Sequence, residues 1–103
     1  MLQVFSPKVG STVSMSVSSV SAATAFACDI NNHNVLLTNA GTGPVFVRVV
    51  QSAGANGTAT LADMPVLPND RVIINAPYQA DYLCAVCPTS YTATLYATLG
   101  IGG

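Results

Sequence analysis

The segment CAVCP, Cys84 to Pro88, is where chemistry could sit in this chain. A Cys-x-x-Cys pair can supply half of a tetrahedral zinc site, and Cys28 with His33, the single histidine, could supply the other half. The spacing argues against it. Residues three apart on a strand point to opposite faces, so Cys84 and Cys87 could share a metal only if the chain turned at Ala85-Val86, a β-type dipeptide without glycine. A dithiol redox role needs the pair at a helix N-terminus that lowers the thiol pKa, whereas the following PTSYTATLY reads as a strand. We therefore expect buried thiols acting as small hydrophobes, with no metal and no cofactor. Cys28, His33, Cys84 and Cys87 stand as the outside candidates for zinc, and a disulfide is the other alternative. An odd number of cysteines, three, suits synthesis in a reducing compartment better than a secreted, disulfide-stapled domain.

Acid and base work by paired carboxylates would have to come from Asp29, Asp63, Asp70 and Asp81. All four fall at expected loops or strand ends, where aspartate commonly serves turns. His33 lies in a polar loop, and the serines make no Gly-x-Ser-x-Gly elbow. The glycines form neither a P-loop nor a dinucleotide fingerprint. The chain is not expected to be an enzyme. NGT at 56–58 matches the glycosylation acceptor pattern, which has meaning only in a secretory pathway.

Composition sharpens this. Half of the 103 residues are apolar and 7% are charged, against roughly 25% charged in ordinary soluble domains. Three basic residues (Lys8, Arg48, Arg71), four aspartates and no glutamate leave a net charge of -1, so much of the surface is expected to be covered by something else. Without a basic cluster, nucleic acid is excluded as a partner. Residues 9–28 follow Lys8 and end in TAFAC, yet STVSMSVSSVS alternates and never forms the apolar core of a signal peptide. No apolar run approaches the roughly 20 residues of a membrane span, so no membrane role is expected.

The elements that must position these residues follow a period of two. In TVSMSVS, Val13, Met15 and Val17 oppose Thr12, Ser14, Ser16 and Ser18. In SYTATLYATL, Tyr91, Ala93, Leu95, Ala97 and Leu99 oppose Thr92, Thr94, Tyr96 and Thr98. NVLLTN, PVFVRVVQ, TATLA, RVIINA and DYLCAV read as further strands. NAGTGP (39–44) reads as a hairpin connection, GANGT (54–58) as a turn, and MPVLPND (64–70) as a proline-bearing loop. The fold class predicted is all-β, an antiparallel β-sandwich, jelly-roll-like, with about eight or nine short strands and little or no helix. A single domain spans 1–103, with 1–10 a possible N-terminal arm or edge strand and 99–103 a Gly-rich tail.

Arg48 breaks the apolar run PVFVRVV on the face it shares with Phe46 and Val50. Either it pairs with one of the aspartates of its own chain, or it anchors a subunit interface, where arginine and tyrosine are enriched. Tyr96, the one aromatic on a threonine face, is a second interface candidate.

NAGTGPVFVRV (39–49), ADMPVLPND (62–70) and TATLYATLGIGG (92–103) together resemble small all-β structural proteins of tailed bacteriophages, of the capsid decoration (cement) type. The cysteines and the GIGG end depart from that pattern. The resemblance implies a virion structural protein without catalytic residues, binding the outer surface of a phage head and stabilising contacts between major capsid subunits. It implies the major capsid protein as partner, a homo-oligomer (trimer or dimer), synthesis in the bacterial host cytoplasm, and a place on the outer capsid surface. Leu2, Val4, Phe5, Arg48 and Tyr96 are the expected contact residues, with MLQVF adding a strand to a neighbour's sheet edge. The alternative is a tail, neck or fibre-associated module recognising a host-surface carbohydrate or protein.

Overall fold

The computed structural model describes residues 5–26, 32–50, 58–76 and 80–102. They form nine strands and, among the described residues, no helix: β1 (Ser6–Pro7), β2 (Val13–Val17), β3 (Ala22–Ala25), β4 (Asn34–Asn39), β5 (Val45–Val50), β6 (Met64–Val66), β7 (Arg71–Asn75), β8 (Tyr82–Val86) and β9 (Ala93–Ile101). The alternation read from the sequence is what buries them. Val45, Val47 and Val49 point into the core while Phe46, Arg48 and Val50 point out, and Ala93, Leu95, Ala97 and Leu99 point in beneath Thr94, Tyr96 and Thr98.

The pairing is nested. β2 pairs with β9, β3 with β8, β4 with β7 and β5 with β6, all antiparallel. Folding that long hairpin over itself adds the β4–β9 and β5–β8 contacts and gives two sheets, β2-β9-β4-β7 (sheet A) and β3-β8-β5-β6 (sheet B). This is the strand order of a jelly roll. β1 pairs with the C-terminal end of β9, Ser6 opposite Ile101 and Pro7 opposite Gly100, beside β2 on the same edge.

Several local expectations are corrected. NAGTGP is not a hairpin: β4 and β5 lie in different sheets, and the segment carries the chain from one to the other. Gly41 permits this, because a Cβ there would collide with Ala93. Met64–Val66 is a strand despite Pro65, which an edge position tolerates because only one side of the strand carries ladder bonds. TATLA is not a strand but a turn-bearing cover over sheet B. AATA, not recognised as a strand in the sequence, is β3. Leu99 to Ile101, expected in a tail, complete β9. The Asn-Gly turn expected at 54–58 lies, apart from Thr58, outside the described residues.

One buried polar side chain stands among these strands, Asn39. Its Nδ2 donates to the carbonyls of Gly43 and Val66, both at 2.9 Å, and its Oδ1 accepts the Gly41 N–H at 2.9 Å. Its backbone N–H donates to Asp70 O and its carbonyl accepts from Asn69 N–H, where Asn69 turns the chain at a φ of 60°. Replacing Asn39 with Ala leaves two buried carbonyls and an N–H without partners. Urea unfolding of the variant is expected to show a loss of about 3 kcal/mol, since each stranded group costs about 1–3 kcal/mol.

Candidate contact surface

The candidate residues separate onto two opposite faces of the sandwich. Arg48 is on the outer face of sheet B and Tyr96 on the outer face of sheet A. They do not meet in one site. Phe5 closes over Gly100, where a Cβ would strike its ring and the Ser6 carbonyl, so this end of the arm packs on its own chain. Leu2 and Val4 lie outside the described residues, as does Cys28.

Arg48 meets Asp63. Its Nε donates to Oδ1 at 3.2 Å and Oδ2 at 3.1 Å, and its Nη2 to Oδ1 at 3.1 Å. The planar guanidinium fits a carboxylate in this way. Asp63 in turn closes its own turn, accepting the Thr60 N–H at 2.8 Å. Burial raises the Asp63 pKa, but the Thr60 N–H and the Arg48 guanidinium outweigh it and hold the carboxyl below its ordinary value. The Ala59 N–H donates to Ser21 Oγ at 2.8 Å. These ties hold the 58–63 segment across sheet B, where Ala59 buries Cys84 and Val86 with flanking contact from Phe46 and Val50. That cluster is a second small core outside the sandwich proper.

The thiols obey the strand geometry. Cys84 faces this outer cluster while Cys87 belongs to the core between the sheets, its Sγ 3.8 Å from the Val17 carbonyl. Being on opposite faces of sheet B, they do not converge on a common ion. Burial pushes both thiols up from their usual pKa, which disfavours thiolate as nucleophile or ligand. His33 Nδ1 lies 2.8 Å from Asn75 Oδ1. Among the described residues no three His, Cys, Asp or Glu side chains are grouped to hold a metal.

The outer face of sheet A is different, since no described segment of the chain crosses it. The strand register sets Ser14, Tyr96, Thr38 and Arg71 side by side in one row, and Thr98, Leu36 and Ile73 in the next. Thr12 and Thr98 hydroxyls meet at 2.7 Å. Tyr96 is 43% exposed and Ile73 39%. Among the described strand residues of this face, Arg71 carries the one charge. Short hydroxyl side chains lose little rotamer entropy on burial, so such a face is inexpensive to cover. The sequence pointed to Tyr96 and to the Ser/Thr stripe but not to Leu36 or Ile73. NVLLTN and RVIINA carry apolar residues on both faces, and nothing local says which are left uncovered. Where β2 and β9 end beside the 40–42 segment, Ser16 to Ser18, Ala40 to Thr42 and Thr92 to Thr94 line an uncharged groove of about 480 Å³.

Two measurements check this geometry. Asp63 is stabilising while ionised, so wild type should exceed Asp63→Asn by about 1 kcal/mol above the ordinary carboxyl range. That margin should vanish as pH falls through the lowered native pKa of Asp63, because the unfolded chain takes up the proton first. Denaturant titrations between neutral and acid pH read it directly. Cys84 and Cys87 should stay inert to a thiol reagent in the native protein and react only on unfolding, as read by mass spectrometry of the labelled peptides.

No protein-family model and no curated protein sequence matches the chain. Among solved structures it is similar to the crystal structure of PirA, with a TM-score of 0.58 and 12% identity over 89% of this chain and 95% of that one. It is also similar to a chain from Bacillus endospore appendages, described as a family of disulfide-linked pili, with a TM-score of 0.49 and 18% identity over 98% of this chain and 88% of that one. What the chain shares with PirA is therefore the fold alone, the β-sandwich described above.

Proposed function

We propose that this chain is a non-enzymatic virion structural protein of the capsid decoration type, which lays the outer face of sheet A across neighbouring major capsid subunits. The observation that carries this reading is the inequality of the two faces. Sheet B is covered by its own 58–63 segment, whereas sheet A presents Tyr96, Leu36 and Ile73 among hydroxyl side chains with Arg71 as the one charge of its strands. A protein that works by covering joints needs such a face and a rigid support beneath it, and repeated weak contacts gain strength from the multiplicity of a shell. Arg48 then serves the support, tying down the cover of sheet B, and Tyr96 serves the contact. The sites are on the outer surface of the head, because the chain has too few basic residues to lie against packaged genome.

A second reading, a tail, neck or fibre module that takes a host carbohydrate, is favoured by the uncharged, hydroxyl-lined groove at Thr92 to Thr94. Co-sedimentation with shells of the major capsid protein separates the two. Wild type and Asp63→Asn should bind alike, and Tyr96→Asp should bind about tenfold more weakly or worse, as expected for an aromatic interface anchor. Equal binding by all three, or none by wild type with glycan-array binding in its place, would overturn the decoration reading.

A further inference from the structure

We propose that β7 is a self-complementary edge through which two copies of this chain pair antiparallel about a two-fold axis at Ile73. Among the described residues β7 is bonded to β4 on one side and to no strand on the other. Edge strands are normally blunted by proline, lysine or a bulge. β1 and β6 carry Pro7 and Pro65, whereas the edges β2, β3 and β7 carry no proline or lysine; of these β7 has one charge, Arg71, and keeps unbroken register against β4. The coverage of its side chains is incomplete as well. Both inward residues of β7, Val72 and Ile74, are only partly buried against the core, whereas on β2, at the opposite edge of the same sheet, Val13 alone is partly buried and Met15 and Val17 are buried.

The backbone bonds fix which groups face outward. Asn39 N–H donates to Asp70 O at 3.0 Å and Ala76 N–H to His33 O at 2.7 Å, bracketing the strand. With Leu37 opposite Val72 and Val35 opposite Ile74, antiparallel alternation directs residues 70, 72, 74 and 76 at β4. Arg71, Ile73 and Asn75 therefore aim their N–H and C=O groups out of the sheet edge, where the Arg71 N–H meets the Asp70 carboxylate of its own chain at 2.8 Å.

A two-fold axis at Ile73 pairs all three: Arg71 with the partner's Asn75, Ile73 with the partner's Ile73, and Asn75 with the partner's Arg71. Each such pair exchanges two hydrogen bonds, the Arg71 N–H exchanging Asp70 Oδ1 for the partner's carbonyl. The charge on the strand then faces a neutral amide, whose Oδ1 has one contact, from His33 Nδ1, and a second lone pair to accept from the guanidinium. Shifting the axis to Arg71 opposes two guanidinium groups, and shifting it to Val72 leaves the groups of Asn75 unpaired. In the Ile73 register the inward Val72 is covered by the partner's Ile74. The two copies of sheet A become one continuous sheet with an axis perpendicular to it, so both Tyr96 faces point the same way.

This pairing requires nothing but the chain itself and stands apart from any shell. Sedimentation equilibrium of the purified protein tests it, with Ile73→Lys placing like charges on the axis and Ile73→Pro removing an outward N–H while sparing the bonds to β4. Wild type should be a dimer, and both variants should raise the dimer Kd about a hundredfold or more with unchanged far-ultraviolet circular dichroism. Tyr96→Asp should leave the dimer intact. A wild-type monomer at millimolar concentration, a dimer indifferent to Ile73→Lys, or open chains longer than two, as pairing of β7 with β3 would give, each overturns the proposal.

Discussion

The carboxamide of Asn39 holds together the place where the chain changes sheets. It bonds Gly43 at the entry to β5, Val66 at the end of β6 and Gly41 in the connection between the sheets. The backbone on either side reaches Asp70, Asn69 and Thr94. A jelly roll must pass its chain between sheets repeatedly, and every crossing exposes backbone groups that neither ladder can satisfy. At this crossing a primary amide, with donors and an acceptor in one plane, satisfies them inside the protein. No apolar residue of similar size could, and a buried network of this kind is costly to leave half made.

The second constraint is the scarcity of charge. With so few ionic groups, the protein distributes apolar side chains over three places: the core between the sheets, the outer cluster around Cys84, and the rows of sheet A around Leu36 and Ile73. Arg48 and Asp63 belong to the second of these. Their ion pair is partly shielded from water and its value lies in geometry, since it fastens the 58–63 segment that hides Cys84, Val86 and Ala59. The residue that looked most like a contact anchor in isolation is thereby occupied within its own fold. The outer face of sheet A keeps one charge among its described strand residues, Arg71.

Edges complete the picture. Proline guards β1 and β6, and the long β9 is flanked on both sides. β7 has aliphatic side chains on both faces and an unbroken register against β4. Pairing at that edge and covering of the Tyr96 face are compatible, because one uses backbone groups in the plane of the sheet and the other uses side chains above it. A dimer built through β7 would present two Tyr96 faces side by side.

The sequence by itself determined the class of the fold and the facing of most strands. Alternation with a period of two is a local property, so β2, β5 and the first part of β9 were legible residue by residue, and the opposite facing of Cys84 and Cys87 followed from their spacing of three in extended chain. What only the tertiary structure decided depends on partners far apart in the chain. AATA has little hydrophobic contrast and becomes β3 because β8 lies beside it; NAGTGP has hairpin chemistry but connects two sheets because β4 finds β7 and β9 instead of β5. Likewise, whether Arg48 meets its own loop, and whether Ile73 is left uncovered, is set by packing between segments that no local pattern encodes.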